Sequence, residues 1–243
     1  SDLGFVPNAA ARQLRSGRSS SLGLVVLDAA NPFFASVARG ARDACDRAGL
    51  ALLLGDSGTD ERREGKYVDL FAEQRVNGLL VTPAGSDLHG LEGASRRGTP
   101  VMLVDREPGV ASLSSVTVDN VAGGRLALDH LIAGGSVRPA FVGGPLTLPQ
   151  VADRLAGATL RAHDAGLGLE VFDSGEQTIL AGRAVGQQIV AMSRSQRPDA
   201  VFCANDLIAV GVMQAVIMSS GLKVPDDLAI VGYDDIDYAY STI

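Results

Sequence analysis

The stretch Leu22-Gly-Leu-Val-Val-Leu-Asp-Ala-Ala-Asn-Pro-Phe-Phe34 decides the fold. Its first six residues form an unbroken apolar run with no polar alternation, the pattern of a strand covered on both faces in a parallel sheet. Asp28 and Asn31 end the run, and Pro32 suits a first helical turn. Phe34, Val37, Ala38, Ala41, Cys45 and Ala48 then fall on one helical face, which Gly49 closes. In open α/β sheets, ligands bind in the turns just past the carboxyl ends of such strands.

Outward from this stretch the unit recurs. Leu50–Leu54, Gly78–Thr82, Val101–Val104 and Val116–Val118 read as strands, with a helix capped by Thr59 or Asp60 and another over Leu88–Arg97. Beyond Asp119 the scheme repeats, with strands at Ala140–Val142, Leu169–Phe172, Ala200–Cys203 and Leu228–Val231. Helices at Val121–Ala133, Gln150–Ala165, Ala181–Met192 and Asn205–Ser220 separate them. Strands spaced by helical stretches imply βαβ units with right-handed crossovers. The fold class is therefore α/β, with two doubly wound parallel-sheet subdomains over residues 21–119 and 120–236 and a ligand cleft between them. The Asn205–Ser220 helix is apolar on nearly every side, so either the fold buries it fully or part of it forms a subunit interface, and a dimer contact is the favoured reading.

The 243 residues suffice for two ordinary subdomains, and 46% apolar with 20% charged content is that of a globular protein. No apolar run approaches the ~18 residues of a membrane span, and Ser1–Gly17 lacks the apolar core of a secretory signal. Cys45 and Cys203 have no paired spacing and read as buried free thiols. These features point to the cytoplasm. Net charge is −7, but residues 1–21 carry three arginines against Asp2 alone, so an acidic body follows a short basic arm. In that arm, Asn8 can cap a short helix that Gly17 stops. A helix of roughly two turns is marginal alone in water and needs a partner.

Enzyme signatures are weak. Gly55-Asp56-Ser57-Gly58 matches a segment of trypsin-like proteases, but those are all-β, and a turn after a buried strand explains the residues. There is no nucleophile elbow and no complete phosphate-binding loop, and His89, His130 and His163 are scattered without metal-ligand spacing. No enzyme, cofactor or metal site is expected. What recurs is a polar residue at a strand's carboxyl end: Asp28, Thr82, Asp105, Asn205 and Asp234. Singly, each reads as a cap or turn former, but together they line one side of a parallel sheet. Arg154, opening a helix, can clamp a carboxylate or hydroxyl from the same side. Of Phe33 and Phe34, one belongs to the core and the other to an apolar wall.

A set of short motifs follows one another along the chain: Asn8-Ala-Ala-Ala-Arg-Gln-Leu-Arg-Ser-Gly17, Leu22-Gly-Leu-Val-Val26 with Asn31-Pro-Phe-Phe34, Arg75-Val-Asn-Gly-Leu-Leu80, Gly143-Gly-Pro-Leu146, Arg154-Leu-Ala-Gly157, Arg197-Pro-Asp-Ala200, Ala204-Asn-Asp206 and Val231-Gly-Tyr-Asp-Asp-Ile236. In these motifs and their order the sequence resembles the LacI/GalR family of bacterial transcriptional repressors. This resemblance implies a two-lobed, periplasmic-binding-protein-like (type I) effector region. Its effector contacts carry over to Phe34, Thr82, Asp105, Arg154, Asn205 and Asp234. Gln177 stands where many relatives place a stacking aromatic. The resemblance further implies that residues 1–20 end a DNA-binding headpiece with a hinge helix. There, Leu14 would wedge into the minor groove of operator DNA beside Asn8, Arg12 and Arg15. A helix-turn-helix would precede Ser1, and residues 237–243 would begin a crossover back to the first subdomain. A homodimer, a sugar, nucleobase or polyol as effector, and no membrane partner are the implied associations. The expected function is a ligand-responsive repressor, with a solute-binding protein of a sugar transport system as the alternative.

Overall fold

The computed structural model describes residues 19–109, 112–219 and 221–241, and the chain divides into two compact units between Val118 and Asp119. The hinge residues Asn8, Arg12, Leu14 and Arg15 lie outside the described residues.

In the first unit, β1 (Ser21–Val26), β2 (Ala51–Asp56), β3 (Leu79–Val81), β4 (Val101–Val104) and β5 (Ser114–Val116) form one parallel sheet ordered β2-β1-β3-β4-β5. The apolar run is its core: Leu24, Val25 and Val26 are at most 1% exposed. At about 1.5–3 kcal/mol for each fully buried side chain of this size, that strand contributes several kcal/mol of apolar burial. Helices α1 (Pro32–Ala48), α2 (Glu61–Glu73) and α3 (His89–Arg96) complete the crossovers. Asn31 caps α1 by accepting from Phe33 N at 3.0 Å, Pro32 occupies the first turn, and Gly49 ends the helix at φ 69°. Of the two candidate caps for α2, the chain uses Asp60, which accepts from Arg62 N and Arg63 N; Thr59 instead takes φ 61° in the turn before it. Gly23 in β1 is dictated by packing, since a Cβ there would stand 2.6 Å from the Phe71 ring.

The last strand of this unit sits two residues earlier than the hydropathy suggests. Val116 and Val118 are 57% and 52% exposed, and β5 pairs with β4 from Met102↔Ser114 to Val104↔Val116. Asp119 must leave the sheet to cap the next helix, accepting from Ala122 N at 2.8 Å, so the chain turns away before Val118.

In the second unit, β6 (Pro139–Gly143), β7 (Glu170–Asp173), β8 (Ala200–Cys203) and β9 (Ala229–Val231) form a parallel sheet ordered β7-β6-β8-β9. Every residue of β6 and β8 is buried. Its helices are α4 (Asn120–Ala133), α5 (Pro149–Asp164), α6 (Ile179–Ala191) and α7 (Asp206–Ser219), followed by a 3-10 turn over Asp237–Ser241. Helices α4 and α5 cross at glycines: a Cβ on Gly124 would lie 2.0 Å from Arg154 O, and one on Gly157 2.0 Å from Val121 O. Helices α6 and α7 meet the same way, with a Cβ on Gly211 falling 2.1 Å from Ile179 O. This close packing accounts for the all-round apolarity of α7. Ile208, Val212, Ala215 and Val216 are fully buried within the unit, while Ile217 and Met218 at its end remain 58% and 69% exposed. Cys45 and Cys203 are buried free thiols, as the sequence suggests, and burial pushes the Cys203 thiol up.

Candidate functional site

Three of the predicted site residues stand at the carboxyl edge of the first sheet. Phe34, in the first turn of α1 beyond β1, is 5% exposed and packs edge-on against Phe33, ring centroids 5.1 Å apart. Phe33 is only half-buried and is the more open of the two. Thr82 directly follows β3. Its N–H donates to Val25 O at 2.9 Å, yet its Oγ1 has no hydrogen-bond partner although the residue is 1% exposed. A buried hydroxyl without a partner calls for a reason. Asp105 follows β4 at φ 55°, its N–H donating to Val116 O at 2.8 Å, and is 8% exposed. Aspartate tolerates that left-handed backbone better than most residues. Asp28 takes the blander role: its Oδ1 accepts from Ala30 N at 2.8 Å and shapes the turn.

The structure adds one residue to this edge. Glu64 on α2 is 8% exposed and accepts from Ala84 N at 2.6 Å, tying down the loop that carries Thr82. Burial, helped by the nearby Glu61 carboxylate, pushes the Glu64 carboxyl up from its ordinary value. Its signal in the sequence was a glutamate on the same helical face as Val68 and Phe71.

The second unit brings its four predicted residues together. Arg154 of α5, 3% exposed, donates from Nε to Asn120 Oδ1 at 2.9 Å and from Nη1 to Ala204 O at 2.6 Å. The same Nη1 lies 3.3 Å from Asp234 Oδ1, and the guanidinium carbon sits 3.7 Å from the centre of the Tyr233 ring. A cation so placed gains from both the carboxylate and the ring face. Asn205, fully buried past β8, accepts from Ile208 N at 2.9 Å to cap α7 and donates from Nδ2 to Gln177 Oε1 at 3.1 Å. Thus Gln177, from the loop before α6, joins the group through Asn205. Sequence reasoning does not single out Asn120 or Tyr233. Both are polar residues flanking marked ones, Asp119 and Asp234, and neither spacing reveals a bond that closes over 34 residues.

Chemically this group offers an arginine whose charge is balanced by Asp234, together with the side-chain amides of Asn120, Asn205 and Gln177. Such a set matches hydroxyls, which donate and accept at once, better than it matches an anion. The protease-like segment is purely structural: Ser57 is fully buried and its Oγ donates to Val26 O at 3.0 Å. Among the described residues no group of three or more His, Cys, Asp or Glu side chains is placed to hold a metal ion. No helix among them is long and apolar enough to cross a membrane.

Two parallel sheets with polar residues gathered at their carboxyl edges define a class of small-molecule binding domain. In keeping with it, the family described as periplasmic binding protein domain matches residues 22–240. Over 243 residues the chain is 32% identical to the ribose operon repressor of Escherichia coli (strain K12), covering 98% of this chain and 72% of that protein. It is likewise 32% identical to the HTH-type transcriptional repressor PurR of Aliivibrio fischeri (strain ATCC 700601 / ES114), covering 97% and 71%. The crystal structure of a putative ribose operon repressor from Burkholderia thailandensis superposes with a TM-score of 0.78 at 30% identity, covering 92% of this chain and 83% of that one. The chain belongs to the LacI family of transcriptional regulators, of which it is the effector-binding region. These relatives are repressors, which favours the regulatory reading over solute transport.

Proposed function

We propose that the effector is a small neutral sugar or polyol, held by Phe34, Thr82 and Asp105 from the first unit and by Arg154, Gln177, Asn205 and Asp234 from the second. The observation that carries this reading is the Arg154–Asp234 pair. With the guanidinium charge already balanced at 3.3 Å, the site has donors for hydroxyls and little surplus positive charge for a phosphate or carboxylate. The similarity to ribose operon repressors supports a pentose among the candidates.

Effector binding then acts as a switch, without chemical turnover. The ligand binds one arrangement of the two units better than the other, and that difference sets operator affinity through the segment bearing Asn8, Arg12, Leu14 and Arg15. The protein works as a cytoplasmic homodimer.

The test is a calorimetric series with D-ribose, ribitol, D-ribose 5-phosphate and adenine. A neutral sugar or polyol binding at least tenfold tighter than the phosphate ester is expected, and at a hundred times its Kd it should stabilise the fold by about 2.7 kcal/mol. Preference for the phosphate ester would overturn the assignment, as would chemical conversion of the bound sugar.

A further inference from the structure

The loop after β9 carries Asp234 in a conformation that its own sequence does not favour. Asp234 and Asp235 have φ 96° and 52°, two consecutive non-glycine residues in left-handed space. Such a conformation persists only where the surroundings impose it. The imposing contacts come from Asp206, the first residue of α7, which is 8% exposed. Its N–H donates to Tyr233 O at 2.8 Å, and its Oδ2 accepts from Ile236 N at 2.9 Å. The two bonds bracket Asp234 and Asp235 on either side. Room for the carboxylate exists because residue 232 is glycine: a Cβ there would fall 2.1 Å from Asp206 Oδ1.

We propose that Asp206 is a positioning residue, a latch that holds the Tyr233–Ile236 loop so that Asp234 meets Arg154 and Tyr233 underlies the same guanidinium. This rests on the effector site proposed above and deepens it, since Asp206 acts through Asp234 and touches no ligand itself. It also couples the sheet edge to α7: Asn205 caps the helix and reaches Gln177, and the next residue fixes the opposite wall of the same group. A first-turn aspartate serving only the helix dipole would leave the loop indifferent to its removal.

The experiment is amide hydrogen exchange on the free protein, paired with D-ribose titration, for Asp206→Ala, Asp206→Asn, Gly232→Ala and the control Asp234→Ala. Protection of the Ile236 amide is the expected result in the wild type. The latch requires Asp206→Ala to speed its exchange about tenfold or more while the β9 amides stay unchanged, and to weaken D-ribose binding about tenfold. Asp206→Asn keeps an acceptor and rescues both readouts, whereas Gly232→Ala displaces the carboxylate and reproduces the loss. Unchanged Ile236 exchange in Asp206→Ala overturns the latch, and so does faster exchange with unaltered D-ribose affinity while Asp234→Ala abolishes binding. If Asp234→Ala leaves D-ribose binding intact, or D-ribose fails to bind the wild type, the site reading falls. The exchange of Ile236 alone then upholds or overturns the hold of Asp206 on the loop.

Discussion

In the second unit Arg154 uses its donors on Asn120, Ala204 and Asp234 and lies against Tyr233; in the first, Thr82 buries a hydroxyl that meets no acceptor at all. The same sheet edge is thus organised by different physics in the two units. One half is a polar network centred on a buried cation, where removing a member strands its neighbours. The other keeps Thr82 Oγ1 buried without an acceptor, so that hydroxyl gains a partner only from something that arrives.

The sharpest way to break the contrast is Arg154→Ala. Removing the cation leaves the Asp234 carboxylate and Asn120 in a buried setting built around it. The expected loss is about 3–5 kcal/mol of unfolding free energy for the second unit, read from urea denaturation. A loss below about 1 kcal/mol would mean the network carries no weight and the two halves do not differ. Next in size is Gly124→Ala. The obstacle is the Arg154 carbonyl, which is backbone and cannot swing aside, so α4 and α5 must separate. Overpacking of this kind costs about 1–3 kcal/mol and should shift Arg154 as well, lowering ligand affinity from a residue remote from ligand. Thr82→Val probes the other half. It deletes the unpartnered hydroxyl at nearly constant shape, so the free protein should be unchanged or gain up to about 1 kcal/mol while effector affinity falls. Destabilisation of the free protein would show that the hydroxyl already has a partner, and would erase the asymmetry.

Those sites differ in how far the chain itself discloses them. The run from Leu22 to Leu27, the Asn31 cap with Pro32, the stop at Gly49 and the cap at Asp60 are local signals, settled within a few residues. Arg154 and Asp234 are legible by position, one near the start of a helix and the other just past a strand's carboxyl end, which needs no knowledge of the partner. Their bond to one another, and the parts played by Asn120, Tyr233 and Asp206, depend on which helices cross at Gly124 and Gly157. No periodicity reports such a crossing. Hydropathy misplaces β5 for a related reason: Val116 and Val118 look like core, yet the strand runs along an exposed edge and its register is set by β4 and by the cap at Asp119.

The smallest effect concerns Glu64, which ties the Thr82 loop to α2 through Ala84 N. Burial raises its folded-state pKa above the ordinary glutamate value. Between those two values the folded protein binds more protons than the unfolded chain, so Glu64 makes stability fall as pH rises through that window. Below the ordinary value both states are protonated, above the raised one both are ionised, and in either range its contribution is flat. Glu64→Gln keeps an oxygen for Ala84 N but cannot titrate. The variant's urea midpoint, followed from pH 4 to pH 8, should therefore lack part of the wild-type decline across the window, leaving it the more stable protein above it. Parallel curves for the two proteins would show Glu64 to be solvated. The loop bearing Thr82 would then be no more fixed than an ordinary surface turn, and the buried hydroxyl would lose its claim to have been set in place for a ligand.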